Sequence, residues 1–451
     1  MHIAVIDIGK TNAKLALVDL ASLTELAVIT RPNTVIPGPP YPHFDTVGHW
    51  DFILSGLAAF HRLHRIDAIS ITTHGASAAF LGRDGALAAP VLDYEHDYPT
   101  ALVAAYDAIR PAFTETGSPR LAHGLNLGAQ LHYQMAVDPL LRDRTTQIVT
   151  YPQYWAHRLT GIAATDVTSL GCHTDLWNPH LGAFSTLVDR LQLHDLLALP
   201  QRPQKKLGVI LPEIAALTGL LPETPVACGI HDSNASLLPH LISHAPPFSV
   251  VSTGTWVVVM SVGGKPVALD PSRDTLINVN AFGQPTPSAR FMGGREYELT
   301  RGQGTPSDSD IQAVLDANLV LLPAVQPSTG PFPGMTSRWT PSEPPLTDSK
   351  RNVALAFYLA LMTAECLAIT GADGAVIVEG PFARDPLYLA MLGAATGRAV
   401  IAAASQTGTA IGAALLFAAD GPHPGICTLG EPIVTNAKMA AYAQVWRSLA
   451  R

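Results

Sequence analysis

The sequence predicts an α/β protein of two similar domains. Three observations predict it. The chain has 451 residues, long for a single hydrophobic core. Strand-like apolar runs alternate with helix-like runs along most of its length. The second half also repeats the order of the first, which reads as an internal duplication. A hydrophobic fraction of 47% against 14% charged residues fits large cores rather than disorder.

The elements follow in order. "AVIDIGKTNAKLALVD", Ala4 to Asp19, is two apolar strands around a small polar turn. "IDAISITTHG", Ile66 to Gly75, is a buried strand. In "SAAFLGRDGALAAPVLDY" the residues Arg83, Asp84 and Gly85 form a hairpin turn. "TPVACGIHDSNASLLPHL", Thr224 to Leu241, reads as strand, turn and helix. "SHAPP", Ser243 to Pro247, is a linker, which sets domains at 1–243 and 248–451. The second half reopens with strand, polar turn and strand in "FSVVSTGTWVVVMSV", Phe248 to Val262. "GAVIVEG", Gly374 to Gly380, is a strand ending in glycine. "GTAIGAALLFAA", Gly408 to Ala419, is a small-residue helix placed as "SNASLLPHL" is in the first half. Thr305 to Lys350, rich in Pro, Ser and Thr, predicts loops and a short helix without evident chemistry.

Charge and cysteines narrow the function. A net charge of −8 with no basic stripe argues against a nucleic-acid partner. A local loop can still bind an anionic nucleotide against that global charge. Cys172, Cys228, Cys366 and Cys427 are scattered, which suits buried thiols in a reducing compartment better than a disulfide framework or zinc site. The N-terminus enters a strand at once, without a signal-peptide pattern. "VALAFYLALMTAECLAITG", Val353 to Gly371, has the length of a membrane span but carries Glu365 and Thr363, so a core helix is expected. The expected location is cytoplasmic, with no membrane partner.

Both hairpin turns carry binding chemistry. In the first, Gly9 lets the backbone approach an anion, Thr11 and Asn12 offer donors, and Lys14 offers charge. Asp7 would repel phosphate unless a divalent cation intervened, which implies Mg²⁺ held largely through water. In the second, Ser252, Thr253, Gly254 and Thr255 lie between β-branched runs. Either could be an ordinary turn, in which Asp and Asn serve turn chemistry. Two such turns at equivalent places in a duplicated chain favour a nucleotide phosphate chain clamped in a cleft between domains.

With these motifs in order, the sequence resembles the FGGY family of carbohydrate kinases, in the actin/hexokinase-like ATPase superfamily. "DIGKTNAKLALVD" and "STGTW" are similar to its two phosphate motifs, and "GIHDSNAS" to its catalytic-aspartate motif. "GAVIVEGPFARDPLYLAMLGAATGRAV" is similar to its adenosine motif, and "TGTAIGAAL" to its C-terminal segment. The resemblance spans nearly the whole chain. It implies two duplicated ribonuclease-H-like domains and ATP with Mg²⁺ as cofactors. "HD" followed by "STGTW", with "THGASAAFLGRDG", is most like the rhamnulokinase and fuculokinase branch. One departure stands out: where the adenosine motif usually has a Gly-Gly pair, this chain reads Glu379-Gly380-Pro381-Phe382, and Pro381 lacks a backbone donor.

The resemblance assigns roles residue by residue. Asp232 would accept the proton of the attacking sugar hydroxyl and help to hold Mg²⁺ with Asp7. Read from the residues alone, Asp232 also suits a helix cap, and the two roles are compatible. Gly380, Phe382 and Arg384 would join the phosphate turns in holding the nucleotide. His74, Gly75 and Ala76, then Asp93, Tyr94 and Glu95, are placed toward the sugar. Gln153, Tyr154, His173 and Arg295 complete the candidate sugar contacts, with Thr174 and Trp155 beside them. The expected activity is ATP-dependent phosphorylation of a small ketose, with L-rhamnulose or L-fuculose leading. The alternatives are a kinase for another polyol or ketopentose, an actin- or Hsp70-like nucleotide switch, and a binding protein without turnover. A homodimer is one assembly the sequence allows.

Overall fold

The computed structural model describes residues 1–403, 408–418 and 437–450. Cys427, and Thr407 of the C-terminal segment, lie outside the described residues. The chain divides into two compact units. The first gathers Met1–Ser243, Ile277–Pro285 and Thr407–Ile426; the second gathers His244–Leu276, Thr286–Gln406 and Cys427–Arg451, each so far as described.

The first unit is organised by a seven-stranded sheet. His2–Ile8 pairs antiparallel with Asn12–Asp19, which pairs antiparallel with the edge strand Thr24–Pro32. On its other side His2–Ile8 runs parallel to Ala68–Thr73. That strand in turn runs parallel to Pro225–Ala227 and to the short Ile230–His231. All six residues of Ala68–Thr73 are buried, as expected for a strand covered on both faces. The edge strand Thr24–Pro32 instead keeps alternating exposure along its second half.

The second unit repeats this plan in a six-stranded sheet. Phe248–Thr253 pairs antiparallel with Val257–Val262, which pairs antiparallel with Pro285–Phe291. Phe248–Thr253 runs parallel to Ala375–Glu379, and that strand runs parallel to Val400–Ala402. In each unit, therefore, a hairpin built around a polar turn abuts a parallel strand reached by a long crossover, the ribonuclease-H-like arrangement twice over.

The apolar helix Lys350–Ile369 fills the core of the second unit. It is long and apolar enough to cross a membrane, yet 78% of its apolar window is buried inside the fold. Phe357, Leu361 and Met362 pack in one cluster with Val378, Tyr442 and Trp446. The last helix, Ala437–Leu449, joins that cluster: Trp446 Nε1 donates to Leu321 O at 2.7 Å and Tyr442 Oη to Leu319 O at 2.7 Å. The chain end therefore belongs to the second unit. The segment that returns to the first is the small-residue helix Thr409–Ala414. There Ser70 Oγ donates to Ala413 O at 2.6 Å, and Gly412 lies so close to the Ala235 backbone that a Cβ would overlap it. Small residues permit this approach, which is why a run of Ala and Gly stands there.

Candidate active site

Register brings the acidic residues of the first unit to one sheet edge. Asp7 is opposite Lys14 on one neighbour and Thr72 on the other. In the next row Ile8 pairs with Thr73 and Thr73 with His231. Asp232 follows directly and opens the helix Asp232–Ser243. Asp7 and Asp232 thus leave the same ends of parallel strands, with His74 emerging from the strand between them.

Asp7 feels the charge of Asp232. Burial, and after it the negative charge of Asp232, raises the Asp7 carboxyl above its ordinary range, while a hydrogen bond from Thr409 Oγ1 at 2.6 Å and the Lys14 ammonium pull it down. Burial also raises Asp232, with His74 and the Ser233 hydrogen bonds acting the other way. The Asp232 side chain nevertheless keeps 31% of its surface exposed, so it can meet a ligand. Its Oδ1 accepts from Ser233 N at 2.6 Å, the amide of the next residue rather than one two or three residues on, so this is not a helix cap.

Two histidines flank this carboxylate, and both are neutral near pH 7. Burial lowers His74 and His231 to about 4. His231 Nε2 lies 3.2 Å from Asp232 Oδ1, a close contact between a neutral ring and the carboxylate rather than an ion pair. Asn234 Nδ2 faces His231 Nδ1 at 3.5 Å. The backbone of His231 is held as well, donating to Thr168 Oγ1 at 3.0 Å. Thr168 is held in turn by the buried Asp166, which accepts from its backbone N at 2.8 Å and from its hydroxyl. Gly75 leaves room for the ring: a Cβ there would meet His231 Nε2 at 2.7 Å. Gly75 therefore acts through His231. Asp166 and Thr168 are positioning residues that no sequence motif singled out, and Asn234, inside "GIHDSNAS", had no role assigned to it there.

His74 sits among aromatic rings, with centroids 5.0 Å from Phe44, 5.1 Å from Tyr151 and 5.4 Å from Tyr94. Its Nδ1 contacts Gly75 O at 2.8 Å, while its buried Nε2 has no partner. An orphaned nitrogen in such a box is a position for a ligand hydroxyl. Lys10 closes the group. It forms ion pairs with Asp93 and, at 3.2 Å, with Glu95, and its ammonium lies 4.7 Å from the Tyr94 ring centroid. The sequence placed Asp93, Tyr94 and Glu95 toward the sugar and left Lys10 aside. The structure joins all four to the first turn.

That turn is well braced. Gly9 N donates to Asn12 O at 2.9 Å and closes it. The buried Asn33 donates from Nδ2 to Gly9 O and from its backbone N to Thr11 O, each at 2.8 Å. Thr11 and Asn12 stay exposed at its tip. Lys14 is engaged elsewhere, with Nζ 2.5 Å from Glu25 Oε1.

Several expected sugar contacts do not join this group. Gln153 is fully buried: Nε2 donates to Cys228 O at 2.9 Å and Gly229 O at 3.2 Å, and Oε1 accepts from Thr150. Its amide is consumed in bracing the loop that leads to Asp232. Tyr154 packs in the core against Trp155, with its hydroxyl accepting from Arg158 Nη1 at 3.0 Å. It has no face for a sugar. Ala76 is buried, with φ of 54°, and its carbonyl accepts from Gln130. His173 contacts Leu125 O through Nδ1 at 2.6 Å, and Thr174 is buried beside it with its hydroxyl on Leu170 O.

In the second unit the polar turn and the adenosine-motif strand are latched together. Thr253 Oγ1 donates to Glu379 O at 2.5 Å and accepts from Phe382 N at 3.1 Å. The hydroxyl expected to meet phosphate is thus structural. Gly380 has φ of 81°, and a Cβ there would overlap Thr253 O, so no other residue suits this junction. Gly254 and Thr255 remain exposed. Arg295 N donates to Thr255 O at 3.4 Å, and its exposed guanidinium has no ion-pair partner among the described residues. Arg295 therefore stands beside the second polar turn.

Two adjoining cavities open beside that turn. The first, of about 430 Å³, is lined by Gly254, Thr255, Gly294, Tyr297, Phe382 and Asp385 among others. The second, of about 510 Å³, is walled by Thr305, Ser307, Asp308, Ile311 and Asn352 and shares Tyr297 and Asp385 with the first. The Pro- and Ser-rich stretch that carried no evident chemistry thus builds a cavity wall, through the capped helix Asp308–Ala317. Arg384 is exposed and lines neither cavity, and Phe382 packs inward on Tyr388 with a ring separation of 5.2 Å.

Comparison with known proteins accords with this geometry. Residues 2–239 match the N-terminal domain of the FGGY family of carbohydrate kinases, and residues 245–424 match the carbohydrate kinase FGGY C-terminal domain. A carbohydrate kinase from Novosphingobium aromaticivorans superposes with a TM-score of 0.91 at 34% identity, over 99% of this chain and 98% of that one. A ligand-bound xylulose kinase from Lactobacillus acidophilus shares the fold at a TM-score of 0.78 and 17% identity, over 100% and 96% of the two chains. A Plasmodium falciparum glycerol kinase with ADP does so at 0.75 and 11%, over 100% and 97%. A search of curated proteins found no match. These findings do not single out the rhamnulokinase and fuculokinase branch. With both domains matched in order across nearly its whole length, the chain belongs to the FGGY family of carbohydrate kinases, and is a phosphotransferase with the two-domain fold of the actin-like ATPases.

Proposed function

We propose that this enzyme transfers the γ-phosphoryl group of ATP to a hydroxyl of a small ketose or polyol, with Asp232 receiving the hydroxyl proton. The observation that carries the reading is the strand-edge group: a part-exposed Asp232 beside a neutral His231, with Asp7 two pairing rows behind it and His74 Nε2, unpartnered among the described residues, nearby. A carboxylate raised by burial is a better base than a solvated one. Phosphoryl transfer has a loose transition state, so holding the acceptor oxygen in line matters more than removing its proton early. The close His231 contact and the Asp166–Thr168 support of the His231 backbone set the position of the carboxylate for that task.

The donor set suits Mg²⁺. Asp7 and Asp232 offer hard oxygens, and among the described residues no third acidic, His or Cys side chain completes a metal cage. Such a pair holds the ion partly through water and substrate phosphates. When bound, the ion neutralises phosphate charge and relieves the repulsion between the two carboxylates. Exposed Thr11, Asn12, Thr255 and Arg295 are the phosphate donors, and the two cavities of the second unit take the nucleoside.

For the acceptor, the sequence favours L-rhamnulose or L-fuculose. Other similar folds are titled xylulose kinase and gluconate kinase, which keeps ketopentoses, sugar acids and polyols in the set. The half-buried Tyr94 ring suits the C–H face of any of these sugars. The test is ADP release over a panel of ketoses, polyols and sugar acids with Mg·ATP. At least one acceptor should turn over well above ATP hydrolysis alone. Hydrolysis unchanged by every acceptor would sink the reading.

A further inference from the structure

The two cavities of the second unit meet at Tyr297 and Asp385, the residues that line both. At the far side of the first lies the Gly254–Thr255 turn; the second is closed by Thr305, Ser307, Asp308 and Ile311. A nucleotide with its phosphates at that turn and its base in the second cavity must carry its ribose past the junction.

Asp385 is half-buried there. Its Oδ1 caps the helix Pro386–Thr396, accepting from Leu387 N at 2.9 Å and Tyr388 N at 3.3 Å. Its Oδ2 has no partner among the described residues. This oxygen stays in contact with solvent at the junction of the two cavities, so a ligand donor can take the place of water there. Phosphate oxygens cannot donate and would be repelled. Vicinal hydroxyls are the donors a nucleotide presents between its phosphates and its base, and one oxygen of a carboxylate suffices for either.

We propose that Asp385 accepts a hydrogen bond from a ribose hydroxyl of the nucleotide and thereby selects ribonucleotides over deoxyribonucleotides. The inference rests on the kinase reading above. Burial holds the Asp385 carboxyl above its usual range, and a hydroxyl donor offsets that burial.

The test is calorimetry of ADP, 2′-deoxy-ADP, 3′-deoxy-ADP and IDP with the full-length protein and with Asp385→Ser. Serine caps a helix about as well as aspartate but has no second oxygen. The wild type should bind at least one deoxynucleotide about tenfold or more weakly than ADP, as expected for a hydroxyl–carboxylate bond. The variant should bind ADP weakly and treat ADP and the deoxynucleotides alike. A melt without nucleotide checks that the variant folds. Asp385→Asn, which caps equally and replaces the unpartnered oxygen with a donor, should also narrow the discrimination and serves if the serine variant does not fold. Equal binding of ADP and both deoxynucleotides by the wild type would overturn the inference. So would a variant that alters only the ADP-to-IDP ratio, which would place Asp385 on the base. If the wild type bound no nucleotide at all, the kinase reading itself would fall; if it bound ADP without discrimination, only the role of Asp385 would.

Discussion

Replacing Asp232 with asparagine separates catalysis from folding. Asn keeps the side-chain shape and can still accept from Ser233 N, now 2.6 Å from Oδ1. The raised carboxyl of Asp232 means that its ionised form is disfavoured in the folded state, so removing the charge leaves stability at neutral pH unchanged or higher. Turnover is another matter. An amide cannot take the hydroxyl proton, and loss of a general base costs about 10²–10⁴ in rate. That corresponds to about 3–5 kcal/mol on the barrier. The charge also acts on its neighbours: without it Asp7 falls toward its ordinary range, because Asp232 is one of the groups that raise it. The assay is ADP release with the best acceptor from the panel, beside calorimetry of acceptor and ADP and thermal melts. Both affinities should survive while kcat collapses. The acid limb of the wild-type kcat/KM profile should lie above the usual aspartate range of about 3.9 and vanish in the variant. A variant retaining a tenth or more of wild-type kcat would refute the assignment, and Asp93 would become the carboxylate to examine.

Further perturbations follow from the same geometry. Lys14→Ala should weaken ADP binding more than acceptor binding, while Glu25→Gln, which releases the Lys14 ammonium, should strengthen it; calorimetry that shows neither change counts against a phosphate role for Lys14. Gly75→Ala should push His231 against Asp232 and lower kcat about tenfold with little change in acceptor KM; unaltered kinetics would mean that the ring position is immaterial. Gly380→Ala forces a side chain at φ of 81° onto Thr253 O and should lower stability by at least about 1 kcal/mol, read in a urea melt. Glu296 is buried between Gln326 N and Tyr358 Oη, and burial raises it to about 7. Its folded value exceeds its unfolded one, so its contribution to stability is full at low pH and is lost as pH rises from about 4.5 through about 7. Glu296→Gln should remove that slope, worth at most about 3 kcal/mol by pH 8, and parallel wild-type and variant melting profiles across this range would contradict it.

The backbone of this fold was legible because its cause is local. Apolar runs around short polar turns predict hairpins by alternation and turn chemistry, and the repetition of that pattern exposed the duplication. Asp232 was legible for the same reason: it sits where a strand becomes a helix, and the change of period marks the place. The positioning residues were not. Thr168 and Asn33 act through contacts far along the chain, as when Thr168 receives His231 N from 63 positions away, while Asp166 reaches Thr168 two residues on and Asn234 faces His231 three residues back. Nothing in a single sequence distinguishes such a threonine from one that merely fits a turn.

Charged residues were the hardest to assign, and the two lysines of the first turn show why. A motif gives identity and spacing, so Lys14 read as the phosphate cation and Lys10 as surrounding turn. A charge acts through whatever neutralises it, and that partner comes from elsewhere in the chain. Glu25, on the next strand, takes Lys14; Asp93 and Glu95, more than 80 residues away, take Lys10 and seat it over Tyr94. The acceptor-side segment and the first phosphate turn are thereby tied together through one ammonium group. A sugar hydroxyl that donates to Asp93 competes with that ammonium for the same carboxylate, so acceptor binding should loosen Lys10 toward the turn. Lys10→Met isolates the effect: the methionine fills the space over Phe44 and Tyr94 without the charge. It should raise acceptor KM and remove any strengthening of ADP binding by acceptor, while ADP binding without acceptor stays near wild type. If calorimetry instead finds the same ADP affinity with and without acceptor in the wild type, Lys10 holds Asp93 and Glu95 in place and carries no signal between the two substrates.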